Sequence, residues 1–274
     1  TQGPDGRVTV EATLPASAVN NAEGEAVALP MPAVRAEGDW NEAPAVTVDL
    51  PRGASVLVEI PVENAATSTV ALLVRADGTE EIVKTSLTPE NGVAVSLSDG
   101  DTVKIVDNGK TFYDVPGSHW GAEAFDFVTS RELFGGTSEA VFAPETAMSR
   151  GMLVTVLARL EGVDTAAGDP WYAAGRRWAV ENGVSDGTGM DQALTREQLA
   201  AMLWRYAGSP LPLSDLNGFV DADGVSAYAA DAMAWAVEQG LIGGVGDQTL
   251  NPQGSATRAQ VAAILQRYIS LLHG

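Results

Sequence analysis

The chain has 274 residues, and 45% of them are hydrophobic, which excludes a disordered polymer despite a formal net charge of -20. That charge repels nucleic acid and anionic lipid, so neither is an expected partner. With no cysteine, disulfide frameworks, zinc–thiolate sites and thiol nucleophiles are excluded as well. No apolar run reaches the roughly 20 residues that span a bilayer, so no membrane insertion is expected. No secretory leader is visible, and Thr1 reads as a processing boundary.

The first 45 or so residues are Pro-rich and predict edge strands, with a short helix over 15–22. From there the apolar residues recur with a period of two. Val56, Val58 and Ile60 alternate with Leu57, Glu59 and Pro61, the pattern of a half-buried strand. A strand over 70–75, a turn at Asp77-Gly78 and a returning strand over 82–85 read as a hairpin. Val93 and Val95 mark another strand, Asp99-Gly100 a turn, and 102–106 the strand after it. Residues 1–109 are therefore expected to form an all-β, Ig-like sandwich.

After Asn108-Gly109 the period becomes helical. Ala229, Ala232, Met233, Ala236 and Val237 share one helix face, as do Val261, Ile264, Leu265, Tyr268, Ile269 and Leu272. Helix, glycine loop, short extended piece and capped helix occur in that order three times, with a period of roughly 50 residues. The first occurrence carries Trp120, Arg131-Glu132-Leu133-Phe134-Gly135-Gly136, Phe142-Ala143-Pro144 and Ser149-Arg150. The second carries Trp178, Gly183-Val184 and Thr195-Arg196-Glu197-Gln198. The third carries Trp235, Gly240-Leu241 and Thr257-Arg258-Ala259-Gln260. The expected divisions are 110–162, 163–212 and 213–274.

These segments resemble S-layer homology repeats. Tyr113-Asp114-Val115 and His119-Trp120 match the family's opening in the first repeat, and Phe219-Val220-Asp221 matches it in the third. Trp171-Tyr172-Ala173 stands at the His-Trp-Ala position in the second. The second lacks the Phe-x-Asp-Val opening and has a shortened loop over 185–193, and the third has Ala227-Tyr228 at the aromatic position. The resemblance implies a pseudo-trimer of three repeats with ligand grooves between them. It implies a non-catalytic module at the bacterial cell surface that binds secondary cell-wall polysaccharide, often with pyruvylated amino-sugars. A secreted, Gram-positive surface protein and an extracellular, wall-bound location follow from the same resemblance.

Ser149, Thr195 and Thr257 suit helix N-caps, and Gln198 and Gln260 suit capping boxes. Each cap is followed by an arginine, Arg150, Arg196 or Arg258. A cation in the first turn opposes the helix dipole by roughly 0.3–1 kcal/mol, so its threefold recurrence points to a use. Either a ligand carboxylate or a structural ion pair fits. Trp120, Trp171, Tyr172 and Tyr228 offer faces for sugar rings, with a hydrophobic staple as the structural reading. Trp178, Trp235 and Trp204 read as core. Gly135, Gly136, Asp186, Gly187, Gly243 and Gly244 are expected to allow positive φ, to cap the preceding helices and to expose backbone N–H groups to sugar oxygens.

No catalytic set converges. The two histidines are His119 and the penultimate His273. Asp221-Ala222-Asp223-Gly224 begins like a calcium loop but has Ala232 where a bidentate Glu is needed. No metal or cofactor is expected. Two rivals to glycan anchoring remain: a lattice module that mainly contacts neighbouring surface-layer subunits, and a wall-active glycoside hydrolase. The hydrolase is the weaker, because nothing singles out a carboxylate pair.

Overall fold

The computed structural model describes residues 10–13, 33–37, 45–49, 55–62, 64–90 and 92–272. The helix expected over 15–22 lies outside them, as does His273. The chain folds as two compact units, one of residues 1–110 with Ser130–Glu132 and one of 111–129 with 133–274.

The first unit is built of antiparallel strands β1 (Val10–Thr13), β2 (Ala33–Glu37), β3 (Ala45–Asp49), β4 (Ser55–Pro61), β5 (Thr69–Val74), β6 (Glu80–Ile82), β7 (Gly92–Ser98) and β8 (Thr102–Asp107). They form a three-stranded sheet, β1-β4-β7, and a five-stranded sheet, β2-β3-β8-β5-β6. The period of two in β4 buries Val56, Val58 and Ile60. The register sets these three opposite Leu97, Val95 and Val93 of β7, so one face of the pair is wholly apolar. Val46, Val48, Ala71, Val103 and Ile105 of the larger sheet join the same core cluster. The hairpin after β5 is tighter than expected. Asp77 accepts the Thr79 N–H, and Gly78 takes φ 84°. The return strand ends at Ile82, because the Ser86 N–H turns back to the Val83 carbonyl. Arg131, placed by sequence in the first repeat, is fully buried within this unit. Its Nε donates to Ser86 O at 2.7 Å and one terminal nitrogen donates to Thr67 O at 3.0 Å.

The second unit holds helices α1 (Ala122–Ser130), α2 (Arg150–Leu160), α3 (Ala173–Glu181), α4 (Arg196–Tyr206), α5 (Ala230–Glu238) and α6 (Arg258–Leu271). α2, α4 and α6 start alike. Ser149, Thr195 and Thr257 have φ of -88°, -80° and -81° and ψ of 162°, 161° and 161°, and each side chain accepts the backbone N–H three residues on. Gln198 and Gln260 close the boxes by accepting the cap N–H. In the first stretch the Met152 sulfur takes that place at 3.5 Å.

The residues just before the caps are joined in a ring. Met148 N donates to Ala256 O, Ala256 N to Leu194 O and Leu194 N to Met148 O, at 2.8–2.9 Å. All three residues are fully buried, so the hub satisfies its backbone groups by mutual pairing. Trp235 is core as expected, whereas Trp178 is only half-buried, edge-on to Tyr206, and the half-buried Trp204 donates its indole N–H to Pro210 O.

The helix ends differ from expectation. Positive φ after α1, α3 and α5 falls at Glu132 (55°), Gly183 (69°) and Gly240 (67°). Gly135, Gly136, Gly243 and Gly244 do not have positive φ, and of the expected loop residues only Gly187 does. The helices stop earlier, so the left-handed residue sits three or four positions before each glycine pair.

Candidate functional site

The arginine after each cap reaches into the loop of another stretch. Arg258 donates Nε to Phe142 O at 2.8 Å and a terminal nitrogen to Gly135 O at 2.7 Å. Arg196 does the same to Leu250 O and Gly243 O, both at 2.7 Å. Both residues are about 5% exposed (Arg196 5%, Arg258 6%). Burial lowers both guanidinium pKa values from the ordinary value, opposed by Asp221 for Arg196 and by Asp114 for Arg258. The Arg258 guanidinium also lies 4.8 Å from the centre of the Phe142 ring. These bonds offset the unfavourable place of a cation in a first helical turn.

Sequence reading missed the counterpart of this grip. Asp114 accepts the N–H groups of Phe142 and Ala143 at 2.9 and 2.7 Å, and Asp221 accepts those of Leu250 and Asn251 at 2.8 and 2.7 Å. Burial pushes the Asp114 carboxyl up, but the two N–H donors outweigh it and hold it below the usual range. The Leu250 N–H leads the same effect at Asp221. Asp221 is thus engaged by backbone, and among the described residues no group of acidic or histidine side chains is set to hold a metal. The signal was present in sequence: Asp114 and Asp221 occupy the same place in the two Phe-x-Asp segments.

Around Arg258 lies a cleft of about 420 Å³. It is lined by Gly135, Gly136 and Thr137 of the first loop, by Met152, Thr155, Val156 and Arg159 of α2, and by Trp171 and Arg258. Arg159 donates to Leu133 O at 3.1 Å and to Thr165 Oγ1 at 2.8 Å. The lining contains two arginines and no carboxylate. Trp171 is 50% exposed, so its ring is open to a ligand. Gly136 is required sterically: a Cβ there would lie 2.2 Å from Ser138 O and 2.6 Å from Val141 O. Arg159 was also missed, although Arg159, Arg205 and Arg267 follow Arg150, Arg196 and Arg258 at one constant spacing.

The second stretch is built differently. Arg150 donates to Asp186 Oδ1 at 2.8 Å and to Ser185 Oγ at 3.2 Å. Its Nε is buried with no hydrogen-bond partner. The Thr188 N–H, against the upward push of burial, and then Arg150 hold the Asp186 carboxyl below its usual range. Gly187 is buried, its N–H donating to Ser185 Oγ.

The expected aromatic residues are dispersed. Trp120 is 62% exposed beside His119. The Tyr172 hydroxyl donates to Asp191 at 2.9 Å and is not part of the cleft. The Tyr228 hydroxyl donates to Glu197 at 2.9 Å, and burial together with that carboxylate pushes its pKa up to about 12. Glu197 is itself only 3% exposed and also accepts from the Ser226 N–H and hydroxyl. The structure therefore gathers Gly135, Gly136, Trp171 and Arg258, pairs Arg150 with Asp186, and pairs Arg196 with Gly243. Gly244 lies against Thr249.

A family model for the S-layer homology domain matches residues 111–151 and 218–262. The S-layer protein sap of Bacillus anthracis is 24% identical over 58% of this chain and 21% of its own length. A cellulosome-anchoring protein of Acetivibrio thermocellus is 26% identical over 57% of this chain and 25% of its own. An amylopullulanase of Thermoanaerobacterium thermosulfurigenes is 26% identical over 57% of this chain, but over only 9% of its own length. The chain thus spans a quarter or less of each of these relatives. No described helix is long and apolar enough to cross a membrane. The family match is thus confined to residues 111–151 and 218–262, and in those two stretches the chain is similar to S-layer homology domains.

Proposed function

We propose that this chain anchors a bacterial surface protein non-covalently, with its helical unit holding an anionic cell-wall polysaccharide in the cleft between Trp171 and Arg258. One observation carries the reading: in a chain of net charge -20, this cleft is lined by Arg159 and Arg258 and by no carboxylate. The global field repels anions, and the cleft is a local exception to it. A carboxylate such as a pyruvyl ketal on an amino-sugar meets two cations there, and the exposed face of Trp171 suits the sugar ring. Gly135 and Gly136 bring backbone close to the ligand. Arg196 with Gly243 and Gly244 is the second candidate of the same kind. Tyr172 and Tyr228, whose hydroxyls are engaged by Asp191 and Glu197, belong to the framework in this reading.

The architecture proposed with it is a pseudo-trimer of repeats 110–162, 163–212 and 213–274 after an Ig-like sandwich of 1–109. The hydrogen-bonded ring through Met148, Leu194 and Ala256 supports the threefold arrangement. The module is non-catalytic and its place is the outer cell surface. Two relatives, a surface-layer protein and a cellulosome-anchoring protein, agree with this.

A lattice role is the second reading, favoured by Leu211 and Leu213, which stand 82% and 92% exposed. Sedimentation with purified wall sacculi, before and after extraction of the secondary polymer, separates the two. Anchoring gives saturable binding that extraction abolishes and that Trp171→Ala weakens by roughly tenfold at most. Equal binding to stripped walls, or self-association without any wall, sinks it in favour of the lattice.

A further inference from the structure

Gly135, Asp186 and Gly243 occupy the same place in three loops, and each lies against the arginine of another stretch. At Gly135 and Gly243 the arginine meets a backbone carbonyl, and the position carries no side chain. At Asp186 it meets a carboxylate. We propose that Asp186 is a specificity determinant that closes the second loop to anionic sugars by occupying Arg150 from within the chain. The proposal rests on the cleft reading above, in which a ligand carboxylate is recognised by arginine.

Three features support it. The Asp186 side chain is 66% exposed and the Arg150 side chain 15%, so the carboxylate stands on the solvent side of the guanidinium. A ligand carboxylate approaching Arg150 therefore meets a like charge first. Asp186 is also held in place, accepting the Thr188 N–H and hydroxyl, both at 3.0 Å, so it does not swing aside freely. Finally, the buried Nε of Arg150 has no partner, whereas Nε of Arg196 and Arg258 is bound to a carbonyl. Arg150 thus keeps a donor that the other two have spent, and Asp186 controls access to it.

The test uses the whole chain, a pyruvyl ketal of methyl N-acetylhexosaminide as probe, and the unpyruvylated glycoside as control. Arginine Nε–H signals are followed by NMR, with calorimetric stoichiometry alongside. In the parent protein the ketal shifts the Arg258 signal and leaves that of Arg150 unmoved. Asp186→Gly, which copies Gly135 and Gly243, makes the Arg150 signal respond and raises the number of ketal sites by one. The new site binds at least about tenfold more tightly than Arg150 does in the parent, the scale of one charge-assisted bond. Asp186→Asn keeps the Thr188 acceptor while removing the charge, and it gives a weaker gain, which guards against a Gly variant that loosens the loop. A parent in which Arg150 responds as strongly as Arg258 overturns the proposal. So do two folded variants that gain no site. If Arg258 is silent in the parent while Arg150 responds in the variants, the placement of the ligand at Arg258 fails, while recognition of a carboxylate by arginine, the part of that reading this proposal rests on, stands. If neither arginine ever responds, both fail.

Discussion

The loops after α1 and α3 receive the same residue, an arginine from the first turn of a helix in another stretch, and use it differently. In the first, Arg258 binds two carbonyls while Asp114 binds two N–H groups of the same segment. The Phe142 peptide is thus held from both sides by opposite charges. In the second, Arg150 binds the Asp186 and Ser185 side chains and leaves Nε without a partner. The cause is length. The segments from Gly136 to Ser149 and from Gly244 to Thr257 are equally long, and that from Gly187 to Thr195 is five residues shorter. The shorter loop has no carbonyl bound to Nε and no Phe-x-Asp segment to clamp it. A side-chain carboxylate supplies the missing countercharge instead. Loop length therefore decides whether the arginine is a buried strut or a partly exposed ion pair.

The sharpest way to break this comparison is to remove each arginine in turn. Arg258→Ala leaves the carbonyls of Phe142 and Gly135 without their donor in a buried site, and it is expected to cost the helical unit about 3 kcal/mol. Arg258→Lys restores little, because one ammonium does not reproduce the fork that spans both oxygens. Arg150→Ala removes a pair whose carboxylate is largely in water, and the expected loss is about 1 kcal/mol or less. Urea unfolding of the three variants checks this. Equal losses at Arg150 and Arg258 would show that the two loops do not differ in kind.

That difference was only partly legible in the sequence. The alternation at Val56, Val58 and Ile60 and the cap residues Ser149, Thr195 and Thr257 are local patterns, and each appears where the pattern puts it. The recurrence of arginine after each cap was legible too, but its partners were not. They are backbone carbonyls such as Phe142 O, distant in sequence, and a carbonyl carries no residue-type signal. Asp114 and Asp221 were visible as motif members, but their task, holding the N–H groups of Ala143 and Asn251 at φ 57° and 51°, depends on a backbone conformation no composition rule gives for alanine. The glycine pairs misled for a related reason. Gly136 is glycine because two carbonyls crowd its Cα, not because its φ is positive.

Neighbouring glycines in the first loop sharpen the picture at an intermediate scale. At Gly136 an added Cβ would sit inside the contact distance of two backbone oxygens, neither of which can rotate away. Gly136→Ala is therefore expected to destabilise by roughly 1–3 kcal/mol. A Cβ added at Gly135 would meet nothing within 4 Å, so Gly135→Ala should stay within about 0.5 kcal/mol of the parent. Thermal melting of the pair measures the contrast, and two equal shifts would mean that the loop repacks and that its Arg258 strut is less rigid than described.

A smaller effect than at Gly136 lies at the helix ends that lead into these loops. Gly183 and Gly240 take left-handed φ of 69° and 67° after α3 and α5, and Glu132 takes 55° after α1. A residue with a Cβ costs roughly 1–2 kcal/mol in that region. Replacing Glu132 by glycine removes this cost but widens the unfolded ensemble, which takes back about 0.4–1 kcal/mol. The first contribution is the larger, so Glu132→Gly is expected to stabilise, by about 1 kcal/mol or less. In the reverse direction the same two contributions change sign: Gly240→Ala acquires the left-handed cost and regains only the smaller entropic part, so it should destabilise. Equilibrium unfolding of both variants reads the sign. Opposite signs at equivalent positions would establish that the three helix ends share one backbone geometry whatever residue occupies it. A destabilised Glu132→Gly would instead mean that the Glu132 side chain contributes something its exposure does not reveal, and that the first helix end is held by its own contacts and not by the left-handed turn alone.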